Sequence, residues 1–125
     1  MDSLYIAPKT DIYFSPLVDF NAITGVCELV GEAYLENPLE FYTTLKNWVE
    51  AYEGQTLTFN FKLSYFSTSS SNAILNLLRA FKKKAQEGKI VQINWYYPED
   101  DESVLVEGQD FMKDLKIDFT IIPYS

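Results

Sequence analysis

Residues 56–66 read TLTFNFKLSYF and residues 67–72 read STSSSN. In the first stretch Leu57, Phe59, Phe61, Leu63 and Tyr65 alternate with Thr58, Asn60, Lys62 and Ser64. A period of two puts the apolar set on one face of a β-strand and the polar set on the other. The hydroxyl cluster then leads into a helical pattern from about Ser70 to Glu87, in which Ile74, Leu77, Leu78, Phe81 and Ala85 share a face. Gly88 ends that helix, and Lys82, Lys83 and Lys84 suit the negative end of its dipole. Strands covered by helices on both sides are continuous apolar runs. Alternation therefore predicts a sheet with helices on one face only, a two-layer α/β domain.

The neighbouring segments repeat the unit. GVCELV (25–30) reads as a strand with Cys27 and Leu29 on one face, and Gly31 permits a bend after it. Asn37, Pro38 and Glu40 are a helix cap, a first-turn proline and the third member of a capping box. Phe41, Tyr42, Leu45, Trp48, Val49 and Tyr52 continue as a helical stripe closed by Glu53-Gly54. A further strand runs from Ile90 to about Tyr96, with Val91, Ile93 and Trp95 inward. The acids Glu99, Asp100, Asp101 and Glu102 open a third helix with Val104, Gly108, Phe111 and Leu115 on its inner face. A last strand holds Ile117, Phe119 and Ile121, and Pro123 is expected to end regular structure. Before all this, the first twenty or so residues form short β pieces, with Leu4–Ile6 and Asp11–Phe14 as candidates. Strand–helix alternation implies right-handed crossovers and a mixed, mostly parallel sheet within one domain, residues 1–125.

Composition excludes several functions. Histidine is absent, Cys27 is the one cysteine, and 18 acids stand against 10 bases for a net charge of −8. No Ser-His-Asp triad, Cys-His pair or histidine-containing zinc site can be built. A −8 chain opposes nucleic acid. MDSLYIAPKTD carries an acid at position 2 and no apolar run, so neither a signal peptide nor a membrane span is expected, and a cytoplasmic protein is the default. An enzyme working with carboxylates alone needs two acids converging in a cleft, and no pair has convincing spacing. No catalytic residue, metal site or cofactor is expected.

Ser67, Thr68, Ser69, Ser70 and Ser71 lie where a strand becomes a helix. Capping the free N–H groups of the first turn would account for one of them, but five exceed that need. A phosphoryl group on this cluster would meet free N–H donors, and so would a small anion or nucleotide resting there. Neither a Walker pattern nor GxGxxG accompanies it. Arg79, Lys82, Lys83, Lys84 and Lys89 read as a solvated, dipole-favoured helix face. The run from Glu99 to Glu102 reads as a solvated helix start, with Glu32, Glu36 and Glu40 as surface and capping groups and Cys27 as a buried, inert thiol. Tyr96 and Tyr97 are neighbours on a strand, so one of them faces away from the helices and is a contact-site candidate.

Three stretches carry a resemblance to one family: GEAYLENPLEFYTTLKNWVEAY (31–52), LSYFSTSSSNAILNLL (63–78) and VQINWYYPEDDESVLVEGQDFMKDL (91–115). Together they resemble the SiaC-type regulatory phosphoproteins, over about Asp19 to Ile122. The resemblance implies a fold similar to the anti-sigma factor antagonists, the STAS-like sheet with helices on one side. It also implies a non-enzymatic member of a bacterial partner-switching module. In such a module a cognate protein kinase phosphorylates a threonine at the strand–helix junction and a PP2C-type phosphatase removes the phosphate. The unmodified form binds and activates a diguanylate cyclase. That threonine falls on Thr68, its neighbouring serines on Ser69 and Ser70, and the Tyr-x-Glu-Asn element on Tyr34, Glu36 and Asn37. Ser67 and Asn72 stand where the family has Asn and Lys, and Glu32 where it has Arg, so two positive charges near the switch are lost.

Overall fold

The computed structural model describes residues 1–10 and 13–125. Its strands are β1 (Leu4–Ile6), β2 (Lys9–Thr10), β3 (Phe14–Ser15), β4 (Leu17–Phe20), β5 (Val26–Ala33), β6 (Thr56–Phe66), β7 (Ile90–Pro98) and β8 (Thr120–Tyr124). Its helices are α1 (Pro38–Ala51), α2 (Ser71–Gln86) and α3 (Glu102–Leu115), and a 3₁₀ turn at Thr68–Ser70 precedes α2. Six strands join in the order β1-β4-β5-β6-β7-β8, with β2 and β3 as a separate ribbon. β1, β4 and β5 are antiparallel neighbours, whereas β5, β6, β7 and β8 run parallel. The three helices are the crossovers of the parallel half and cover one face, giving the expected two-layer, mostly parallel architecture.

β6 lies in the middle of the sheet, and its alternation is what the core is built on. Leu57, Phe59, Phe61 and Leu63 are fully buried. Phe59 stacks on Phe81 of α2 at 4.6 Å, and Phe61 stacks on Trp95 of β7 at 3.9 Å. The Trp95 indole donates to the Val104 carbonyl of α3 at 2.9 Å, and a Cβ on Gly108 would run into that indole. The residue pattern of α3 is thus dictated by one tryptophan: only glycine lets the helix lie this close.

Several expectations need correction. Tyr65 does not join the core. The β5–β6 register slips between Gly31 and Glu32, pairing Leu63 with Gly31 but Tyr65 with Glu32, so β6 carries one extra residue. This bulge reverses the alternation: Tyr65 becomes exposed and Phe66 turns inward against Phe61 and Trp95. Gly31 does not end its strand, because β5 runs on to Ala33 with Gly31 at φ 125°. In α2 the buried position is Lys84, with Ala85 only half-buried. β8 begins at Thr120, after Ile117 and Phe119, and Pro123 lies inside it. β8 is an edge strand, where a missing N–H costs no ladder bond. β4, with Val18 and Phe20 fully buried, is a further N-terminal strand beyond the two candidates the sequence offers. Of the proposed Asp11–Phe14 strand, residues 11 and 12 lie outside the described residues and Phe14 belongs to β3.

Candidate functional site

Because β5, β6 and β7 are parallel, the β5–α1, β6–α2 and β7–α3 connections leave the sheet at one end. In such sheets the carboxyl ends of the strands are where sites form. Ser67 is extended and the chain then winds through the 3₁₀ turn, with the Ser70 N–H donating to the Ser67 carbonyl at 2.9 Å. The serine hydroxyls do not cap the helix: neither Ser67 nor Ser70 accepts from a helix N–H through its side chain. Instead Ser67 Oγ lies 2.9 Å from Ser69 Oγ and 3.0 Å from Ser70 Oγ, and Ser70 is fully buried. Thr68 and Ser69 are exposed, as is Asn72, and Ser71 is half-buried. Among the described residues the Thr68 hydroxyl has no hydrogen bond, so it is both accessible and unoccupied by the serine network.

Thr68 opens on a groove of about 210 Å³. Ser64, Tyr65 and Phe66 of β6 form one wall and Ser103, Val104 and Glu107 of α3 the other. The N-terminus of α3 is already capped: Asp101 Oδ1 accepts from the Ser103 N–H at 3.0 Å and from the Ser103 hydroxyl at 2.7 Å. Those two bonds, the hydroxyl first, hold the Asp101 carboxyl below the usual carboxylate range. Among the described residues no lysine or arginine lines the groove. Any phosphate or other anion at this junction would therefore be met by backbone N–H groups and hydroxyls and not by a cationic side chain of the groove.

Tyr34 joins this site through Tyr65. The two rings stack at 4.3 Å with 15° between planes, and Phe14 meets Tyr34 edge-on at 5.7 Å. Tyr34 and Tyr65 remain 46 % and 41 % exposed, an aromatic pair presented to solvent beside Thr68. Glu36 is exposed and lines a separate depression with Lys9 and Tyr13. Asn37 caps α1, accepting from the Glu40 N–H at 3.2 Å while its amide donates to the Glu40 carboxylate. Tyr97 packs against the core, and Tyr96 is on the helix-free face. There the Lys62 ammonium lies 5.7 Å from the Tyr96 ring and 4.7 Å from the Tyr124 ring. Sequence reasoning missed Tyr65, Ser103 and Glu107 as residues lining the groove beside Thr68. Tyr65 was hidden by the bulge, and the other two only reach the groove because α3 packs beside β6.

The basic cluster is solvated only in part: Arg79 and Lys83 are exposed, whereas the other three lysines are engaged by the fold. Lys84 is 8 % exposed and donates to the Tyr52 carbonyl at 2.7 Å. Lys82 donates to the Leu115 carbonyl at 2.5 Å and Lys89 to the Glu53 carbonyl at 3.0 Å. These lysines satisfy the carboxyl-terminal carbonyls of α1 and α3, at the end of the molecule opposite Thr68. Burial pushes the Cys27 thiol well up, away from the reactive thiolate. Among the described residues no group of three or more acids or thiols could hold a metal ion. Among the described residues no helix is long and apolar enough to cross a membrane.

Residues 8–124 match the model of a family described as SiaC family regulatory phosphoprotein. An uncharacterized protein of Pseudomonas aeruginosa strain UCBPP-PA14 is 28 % identical over 110 residues, which span 86 % of this chain and 87 % of that one. Among solved structures, the crystal structure of the diguanylate cyclase SiaD in complex with its activator SiaC from Pseudomonas aeruginosa contains a similar chain. It superposes with a TM-score of 0.85 at 27 % identity, over 97 % of this chain and 99 % of that one. A structure of SiaC of Pseudomonas aeruginosa gives a TM-score of 0.82 at 24 % identity over 99 % and 100 % of the two chains, a likeness of fold.

Proposed function

The chain belongs to the SiaC family of regulatory phosphoproteins, a family of regulators and not of enzymes, and from that premise we propose that it is the movable partner of a cytoplasmic switch. A cognate protein kinase phosphorylates Thr68, a PP2C-type phosphatase restores the hydroxyl, and the unmodified form binds and activates a diguanylate cyclase. The observation that carries this reading is the state of Thr68. It is the exposed, unbonded hydroxyl of the cluster that opens on the groove, beside the solvent-facing Tyr34–Tyr65 pair. The cyclase as target is supported by the relative that activates SiaD.

The mechanism needs only charge and packing. A phosphoryl group adds about −1.5 to −2 charges where a partner must exclude water. A few kcal/mol of desolvation and repulsion there changes occupancy by about two orders of magnitude. Thr68→Ala is expected to keep cyclase binding and lose regulation, whereas Thr68→Glu weakens binding. Titration calorimetry of a purified cyclase with the wild-type, phosphorylated and two variant proteins tests this. Equal affinity for all four sinks the proposal.

A further inference from the structure

We propose that Glu107 is the residue that keeps a phosphoryl group on Thr68 out of its own groove and so turns it toward the partner, an inference that rests on Thr68 being the modified residue. Phosphorylated hydroxyls that lock a fold do so by pairing with arginine or lysine nearby. Here the corresponding position is taken by a carboxylate. Glu107 is half-buried on α3, four residues after Ser103 and therefore on the same side of the helix, and it lines the groove opened by Thr68. Among the described residues the ion pairs are Lys46–Glu50 and Lys84–Glu87, so Glu107 has no cationic partner.

The other groups facing the groove reinforce this sense of charge. Tyr65 is its one other titratable lining residue, and Lys and Arg are missing from both walls. Two helix N-termini approach the site, and both would attract an anion. One belongs to Thr68's own turn and helps the phosphate wherever it points. The other, that of α3, is already met by the Asp101 carboxylate through Ser103. A dianion entering the groove would thus meet the Glu107 carboxylate with no lysine or arginine beside it to offset the repulsion. It stays outside, where a docking partner has to desolvate it and where a phosphatase can reach it. Repulsion inside the domain makes the modification an obstacle on the surface instead of an internal clamp.

The test uses full-length protein synthesised with phosphothreonine at position 68, so that it does not depend on a kinase. Phosphorus NMR then follows the phosphate through its second ionisation, near pH 6. A facing carboxylate disfavours the dianion, so in wild type the midpoint is expected about half a pH unit higher than in Glu107→Gln. Glu107→Lys should lower it further, and Asp114→Asn, nearly two turns further along α3, should leave it unmoved. Identical midpoints in wild type, Glu107→Gln and Glu107→Lys would overturn the proposal, as would an equal shift with Asp114→Asn. Because the phosphate is installed chemically, failure of the switch itself would appear separately, as unchanged cyclase affinity with the titration shift intact.

Discussion

Asp101 shows how one side chain sets the chemistry of its surroundings. Its carboxylate accepts two hydrogen bonds from Ser103, and these exist in full only while it is ionised. Folding therefore holds its pKa below the unfolded value of about 3.9. The resulting stability is present above that unfolded pKa and is lost as pH falls through the lower folded one. Asp101→Ala should be less stable than wild type at pH 7, with the gap narrowing on acidification below about pH 4. Thermal unfolding of both proteins from pH 7 to pH 2 measures it, and a gap constant with pH would contradict the account. Lys84 makes a complementary point. Its sequence neighbours suggest a solvated helix end, but its ammonium is buried on the Tyr52 carbonyl, 32 residues away. No local pattern announces a donor whose acceptor lies on another helix.

Elements were legible where their pattern is internal to them. The α1 cap follows from Asn37, Pro38 and Glu40 alone, and the inner face of α3 from the spacing of Val104, Gly108, Phe111 and Leu115, all of which are buried. Most of β6 follows from its own alternation. Its last three residues do not, because the bulge is set by pairing with Gly31 and Glu32 on β5, and strand register is not written in the strand that slips. The candidate site inherits that limit. Thr68 and its serines could be placed at a strand–helix junction, and Tyr34 at the start of α1. That Tyr65 stacks on Tyr34 and that α3 supplies the far wall required the assembled sheet. Gly108 is the position at which an element's geometry is most exacting. Gly108→Ala drives a methyl into the Trp95 indole, whose rings are stacked between Phe61 and Phe119 and so cannot move aside. Overpacking of this kind costs about 1–3 kcal/mol. Urea unfolding should show the stability lowered by that amount, as a lower midpoint at an unchanged slope, even though alanine is the better helix former. A midpoint at or above wild type would show that α3 can lift off β7 freely.

The whole molecule divides into two ends of opposite character. At one, lysines of and after α2 are consumed in holding the carboxyl termini of α1 and α3. At the other, Glu32, Glu36 and Glu40 on one side and Glu99, Asp100, Asp101 and Glu102 on the other flank Thr68, so half the chain's bases and many of its acids lie far apart. Between the ends runs the aromatic core through Phe59, Phe61, Phe81 and Trp95, and Thr68 touches none of its buried rings by hydrogen bond or stacking. A charge added at Thr68 therefore falls on an already acidic, solvated end and leaves the packed interior unaltered. Substitutions at such positions usually change stability by no more than about 0.5 kcal/mol. Thr68→Glu should accordingly unfold within about 2 °C of wild type, with equal cooperativity, under conditions where its affinity for the cyclase is reduced. Calorimetry of the free protein beside the binding titration separates the alternatives. A large fall in Tm would mean that the negative charge acts by loosening the 3₁₀ turn and α2, and the switch would then be a local unfolding event. An unchanged Tm with weakened binding locates the whole effect at the surface of a rigid scaffold, as the proposed switch on the Thr68 hydroxyl requires.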